Sequence, residues 1–251
     1  MSGPAHGAKA VPRRAMVLAA GLGERLRPLT NERPKPLIEL RGRALLDWIL
    51  DRLEAVGMCD VVINLHHLGR MIEAHLAHRK RPRIAFSRER ARLETGGGVR
   101  NALPLLGAAP FYVINGDVCW LDGRTPALRR LADAWNEATM DALVLLHPTA
   151  FAVGYAGRGD FMLTPRGRVR RRAEREVAPF VFAGIQILHP RLFEGAPEGA
   201  FSLNVLYDRA EAAGRLWGLR HDGEWFHIGT PEQLREVEDA LHHLSFHSVH
   251  R

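Results

Sequence analysis

Short apolar runs alternate with amphipathic stretches from Ala15 nearly to the end of the chain, and this rhythm restricts the fold more than any other feature. Residues 15–20, 61–64, 84–86, 111–115 and 142–146 have the length and apolar content of buried strands. Between the first two runs, 44–56 places Leu45, Leu46, Ile49, Leu50 and Leu53 on one helical face. Further helices are expected near 69–78, 97–103 and 127–137. Strands joined through helices form a mostly parallel sheet covered on both faces. The second half departs from the rhythm: 161–169 and 180–188 read as hairpin or mixed strands, followed by helices near 204–213 and 231–244. The expected fold class is therefore α/β, a Rossmann-like, mostly parallel mixed sheet with helices on both faces.

A chain of 251 residues suits one large domain or two small ones, and no repeat or linker interrupts it. The expectation is a flexible leader over 1–14, which mixes Gly, Pro, Ala and basic residues, and a single domain over 15–251. No apolar run approaches the roughly 20 residues that cross a bilayer, and the first residues lack the apolar core of a signal peptide. A cytoplasmic protein with no membrane contact is expected. Two cysteines, Cys59 and Cys119, cannot build a disulfide framework or a four-ligand zinc site, so both are expected as buried or half-buried thiols.

The formal charge of +7 raises the question of a nucleic-acid partner. Its distribution answers it. Residues 1–14 carry +3 and residues 166–175, with six arginines against Glu174, carry +5, which leaves −1 for the rest. The arginine segment has no interleaved aromatic residues for base stacking and reads as a solvated hairpin.

In open sheets of this kind, ligands sit beyond the carboxyl ends of the strands. After the first strand comes Ala19-Ala20-Gly21-Leu22-Gly23-Glu24-Arg25, whose small residues let backbone N–H groups approach phosphate. It lacks the third glycine of a dinucleotide fingerprint and the Gly-Lys-Ser/Thr of a P-loop, and Pro28 and Pro34 predict an extended loop. Lys35 stands between Pro34 and Pro36 and is one of only three lysines, so a compact ammonium is offered where arginine is otherwise used freely. Asp117 ends the strand Val113-Ile114-Asn115-Gly116-Asp117, where a carboxylate can hold a hard cation or simply make a turn. Leu93-Glu94-Thr95-Gly96-Gly97-Gly98 offers a second small-residue surface that can lie against a base or sugar, or a flexible connection.

Taken in order, the Ala20–Arg25 segment, Pro34-Lys35-Pro36-Leu37, Glu94-Thr95-Gly96-Gly97-Gly98, Asn115-Gly116-Asp117 and Gly229-Thr230-Pro231 resemble the sugar-1-phosphate nucleotidyltransferase family. The resemblance runs from about Ala15 to Leu244. With the short length and Arg158-Gly159-Asp160-Phe161, it is nearest to the N-acetylmuramate alpha-1-phosphate uridylyltransferases of bacterial cell-wall sugar recycling. It implies a fold of the nucleotide-diphospho-sugar transferase type, a nucleoside triphosphate and a sugar 1-phosphate as substrates, Mg²⁺, and a monomer or small homo-oligomer.

The resemblance also implies roles. Ala20, Gly21, Gly23 and Arg25 would hold the triphosphate, Lys35 the α-phosphate and Asp117 the metal. Asn64, Thr95, Gly96, Gly97 and Asn115 would contact nucleotide or sugar, with Glu94 and Asp160 at sugar hydroxyls and His66 a further base or sugar contact. One position departs from the family: His227 stands where a second metal-binding aspartate is usual. Imidazole suits Mn²⁺ or Co²⁺ better than Mg²⁺. Two alternatives follow, a mannose- or glucose-1-phosphate nucleotidyltransferase and a catalytically silent sensor of nucleotide sugars.

Overall fold

The computed structural model describes residues 11–248. Residues 1–10 of the expected leader lie outside them. Arg14 is not part of a leader: it opens the first strand, and its Nη1 donates to the Leu105 carbonyl at 3.1 Å.

The first half runs β1 (Arg14–Leu18), α1 (Leu29–Glu32), a small hairpin of β2 (Glu39–Leu40) and β3 (Arg43–Ala44), α2 (Leu45–Ala55), β4 (Asp60–Leu65), α3 (Gly69–Leu76) and β5 (Arg83–Arg88). It continues with α4 (Glu94–Leu106), β6 (Phe111–Asn115), β7 (Cys119–Leu121) and α5 (Ala127–Ala134). The second half holds β8 (Ala142–Pro148), β9 (Phe161–Leu163), β10 (Val169–Arg171), β11 (Phe180–Leu188), α6 (Asn204–Ala212), β12 (Leu216–Arg220), β13 (Glu224–Phe226) and α7 (Pro231–Ser248).

Among the described residues nine strands form the main sheet. β5, β4, β1 and β6 lie side by side and parallel. Antiparallel β11 follows β6, β8 pairs with β11, and β12 runs parallel to β8. The β9–β10 hairpin joins the leading end of β11, where Phe180 faces Phe161. The register of β11 on β8 slips between Phe182 and Gln186. Gly184 sits in that slip at φ 74°, where a Cβ would lie 2.4 Å from Val118 Cγ1, so only glycine fits without displacement.

Alternation along the strands builds a core on each face. Ala15, Val17, Val61 and Ile63 pack against the apolar stripes of α2, α3 and α5. Met16, Val62 and Val113 point the other way, into α4 and α6. Each large aliphatic side chain buried in this way contributes about 1.5–3 kcal/mol. A third cluster ties α7, through Val237 and Leu241, to Leu26, Ile38 and Leu40 beneath the loop that follows β1. Among the described residues no helix is long and apolar enough to cross a membrane.

Several sequence expectations need correction. The first strand ends at Leu18, and its loop is not extended but folds into short helical turns at Glu24–Leu26, Leu29–Glu32 and Lys35–Leu37. Proline is tolerated at the start of a helix, where its missing N–H would be unpaired anyway, so Pro28 and Pro34 stand at the N-caps of two of these turns and Pro36 fits within the first residues of the last. Helix α4 begins at Glu94, before the glycines. Cys119 is buried as expected, but Cys59 is exposed. The arginine segment does form a hairpin, and half of its six arginines are engaged in this way: Arg170 with Glu176, Arg171 with Asp208, and Arg168 over the Trp217 ring.

Candidate active site

β1, β4, β5 and β6 deliver their carboxyl ends to one cavity of about 620 Å³. It lies where the strand order reverses, since the chain leaves β1 for β4 on one side and returns to β6 on the other. The lining joins the segment 18–25, Lys35, Asn64, Glu94, Thr95 and 115–117, which sequence reading placed at the site.

The loop after β1 is shaped for an anion. Gly23 has φ 65°, and a Cβ there would lie 2.8 Å from Thr30 Cγ2, so close packing and backbone angle both require glycine. Its carbonyl accepts from Leu26 N–H at 2.9 Å and Thr30 Oγ1 at 2.8 Å, which fixes the turn. The N–H groups of Gly21, Leu22 and Gly23 donate to no partner among the described residues. Arg25 is exposed on the same rim and has no carboxylate partner among them.

Lys35 opens the short turn Lys35–Leu37, and its Nζ donates to Asp117 Oδ2 at 2.5 Å. The lysine side chain is 12% exposed and the aspartate 36%, so the carboxylate faces the cavity more openly than the ammonium. His227 follows β13 and stands edge-on to Tyr155 and tilted against Trp225. Burial, then the cations Arg25 and Lys35, hold its imidazole below the ordinary pKa, against the pull of Asp117 and Asp160. It is therefore a neutral ring near pH 7.

The donor set fits one kind of metal binding only. Among the described residues no group of three or more His, Cys, Asp or Glu side chains could enclose an ion. Asp117 presents a half-open carboxylate beside a surface shaped for phosphate, which suits a hard cation that takes most of its ligands from substrate and water.

Not every expected contact faces the cavity. Gly96 and Gly97 do not line it: a Cβ on Gly96 would lie 2.3 Å from the Phe201 ring and one on Gly97 2.3 Å from the Gly199 carbonyl. Their N–H groups both donate to the Phe201 carbonyl. The glycines are there for close packing of α4 on the 199–201 segment. Asp160 is outside the lining and accepts Phe182 N–H on Oδ2 at 2.8 Å. His66 is also outside it, with Nδ1 3.2 Å from the Glu89 carbonyl. Thr95 lines the cavity while accepting Leu203 N–H. Glu89, Arg92 and Ser202, none of them singled out from the sequence, complete the wall after β5 and beside α4. Glu89 and Arg92 lie in the stretch 87–98 that follows a predicted strand and is expected at the ligand end of the sheet; Ser202 carries no such signal.

The MobA-like NTP transferase domain family matches residues 15–222. The chain is 43% identical over 235 residues to the N-acetylmuramate alpha-1-phosphate uridylyltransferase of Caulobacter vibrioides, across 92% of this chain and 97% of that protein. It is 37% identical to the enzyme of the same name from Neisseria meningitidis, across 90% and 96%. A solved UDP-glucose pyrophosphorylase complexed with UDP-glucose superposes with a TM-score of 0.74 at 16% identity, covering 92% of this chain and 98% of that one. That likeness places the fold among the nucleotide-diphospho-sugar transferases.

Proposed function

The chain belongs to the MobA-like NTP transferase domain family, and from that premise we propose that it joins UTP to N-acetylmuramic acid alpha-1-phosphate, giving the UDP-sugar and pyrophosphate. One observation carries the reading. A row of N–H groups without a partner among the described residues, the Arg25 guanidinium and the Lys35–Asp117 pair converge on a single cavity at the strand-order reversal, in a chain 43% identical to a protein with that named activity.

In this reading an anionic phosphate oxygen of the sugar phosphate attacks the α-phosphorus of UTP. The new P–O bond forms in line as the bond to the β-phosphate breaks, and the electron pair leaves with pyrophosphate. The attacking oxygen carries no proton, so no general base is needed. Catalysis is positioning and charge stabilisation. The N–H groups of the Gly21–Gly23 turn and Arg25 hold the β- and γ-phosphates. The Lys35 ammonium has three donors, of which Asp117 takes one, leaving two for α-phosphate oxygens as charge builds there. Asp117, with the neutral His227 nearby, would hold a divalent cation such as Mg²⁺ that neutralises phosphate charge when bound. Glu94 and Thr95 serve nucleotide or sugar from the opposite wall, and Asn115 from the end of β6. The reading implies a cytoplasmic enzyme, because its nucleotide substrate is held there.

A matrix of UTP, CTP, GTP and dTTP against N-acetylmuramic acid, N-acetylglucosamine, glucose and mannose 1-phosphates, read by pyrophosphate release, tests it. The highest kcat/KM is expected for UTP with the muramic acid phosphate. A higher value for mannose or glucose 1-phosphate gives the reaction to a relative, and silence across the matrix favours a sensor.

A further inference from the structure

Glu89 is an acidic side chain in the wall of the cavity that the proposed reaction leaves unused. It is 7% exposed, and no cation pairs with it among the described residues. Its two oxygens are both committed to neutral donors: Oε1 accepts from Asn64 Nδ2 at 2.7 Å and Oε2 from Leu93 N–H at 3.2 Å. Asn64, 2% exposed, gives its remaining polar atom to the backbone, Oδ1 accepting Ala19 N–H at 2.7 Å. A continuous hydrogen-bonded chain thus runs Ala19–Asn64–Glu89–Leu93. It begins where β1 hands over to the glycine turn, crosses the end of β4 and finishes beside Arg92, Glu94 and Thr95.

Two features mark this chain as specified rather than incidental. Two donors converge on residue 89, so it must accept on both side-chain atoms, which a carboxylate does and a carboxamide cannot. Gly98 makes room for it: a Cβ there would lie 2.8 Å from Glu89 Oε1 and 3.0 Å from Asn64 Nδ2. An unpaired carboxylate beneath a pocket for polyphosphate would repel the ligand. Its presence is explained by the hydrogen bonds it alone can complete.

We propose that Glu89 and Asn64 are a pair of positioning residues that fixes the separation of the two cavity walls, the phosphate-binding turn on one side and Arg92–Thr95 on the other, before any nucleotide arrives. Asn64 is then not a substrate contact, although it lines the cavity. Only the choice of UTP as ligand rests on the proposed function.

Exchanging the two polarities tests the pair. In E89Q the carboxamide meets an N–H with an NH₂, and in N64D two carboxylates face each other. In N64D/E89Q every bond returns: the carboxylate now at position 64 accepts from Ala19 N–H and from the carboxamide NH₂ now at position 89, whose oxygen accepts from Leu93 N–H. Each single variant is expected to raise KM for UTP about tenfold or more, with kcat within about threefold, and to speed hydrogen exchange at the Ala19 and Leu93 amides. The double variant is expected within about threefold of wild type on both readouts. Unchanged KM and exchange in E89Q, or a folded double variant no better than the singles, overturns the pair. Should the singles fail to fold, a folded and active double is still expected, and an unfolded one overturns it. A wild type silent toward UTP sinks the proposed function, while the exchange rates still judge the pair.

Discussion

Lys35 and Asp117, 82 residues apart in sequence, meet with Nζ 2.5 Å from Oδ2 across the gap between the loop after β1 and the end of β6. The contact couples the two groups the proposed reaction depends on most. Each holds the other's orientation, and removing either leaves an uncompensated charge at the cavity.

Lys35→Ala and Lys35→Arg are both expected to lower kcat by about 100-fold or more while weakening UTP binding by less than tenfold, because the charge acts where the α-phosphate becomes more anionic. Steady-state kinetics beside calorimetric binding separates the two effects. Near-normal kcat in Lys35→Arg contradicts the need for a compact ammonium in this mostly covered position.

Asp117→Asn keeps the shape and one acceptor for Lys35 but removes the negative charge. Turnover is expected to fall by about two orders of magnitude or more at saturating Mg²⁺, with a higher metal concentration needed for half activity. A metal titration that overlays the wild type would move the cation elsewhere.

His227→Asp is expected to lower the Mg²⁺ concentration for half activity, since a carboxylate near Asp117 suits a hard cation better than an imidazole does. In the wild type, Mn²⁺ or Co²⁺ should support turnover at lower concentration than Mg²⁺. An unchanged or higher Mg²⁺ requirement in the variant shows that His227 only packs beside Trp225 and Tyr155.

Acid should destabilise the fold through two other imidazoles. His147 and His221, each 2% exposed with ring centroids 5.9 Å apart, are held below the ordinary value of 6.5, chiefly by burial and for His147 also by His221. The unfolded chain therefore takes up protons first as pH falls. Stability is full above about 6.5 and declines below it, until the folded rings protonate as well. Urea unfolding at pH 7.5, 6.5 and 5.5 should show this loss, and His147→Phe should make it shallower by up to about 1.4 kcal/mol per pH unit. Equal slopes in the two proteins would assign the acid loss to other groups.

Gly96→Ala should act on packing rather than on ligand contact. A methyl group aimed at the Phe201 ring is expected to cost about 1–3 kcal/mol in urea unfolding, with KM for UTP changed less than KM in Glu89→Gln. A stable Gly96→Ala protein with a large rise in KM would restore the glycine to the substrate surface.

Much of this arrangement was legible in the sequence, because the parallel strands and their helices follow apolar periodicity and the ligand end of such a sheet follows from topology. β6 and β11 fall where the apolar runs put them. What escaped depends on distant partners. β7 and β13 are three residues each and exist by pairing Trp120 with Trp225 and Cys119 with Phe226, while β12 is specified by its parallel neighbour β8. Gly96 and Gly97 show in sequence only that space is short, not from which side, and the neighbours are Phe201 and Gly199. Glu89 reads as a surface charge until Asn64 and the Leu93 amide are brought against it.

The cluster that joins Val237 and Leu241 of α7 to Leu26, Ile38 and Leu40 has a consequence for synthesis of the chain. A ribosome makes the turn after β1 early, yet part of the apolar floor under that turn is supplied by α7, roughly 200 residues further along the chain. The nascent protein can assemble β1, β4, β5 and β6 with their helices while the turn still lacks its support. The turn is therefore fully supported only once α7 has been made, and α7 acts as the keystone that joins the two ends of this fold.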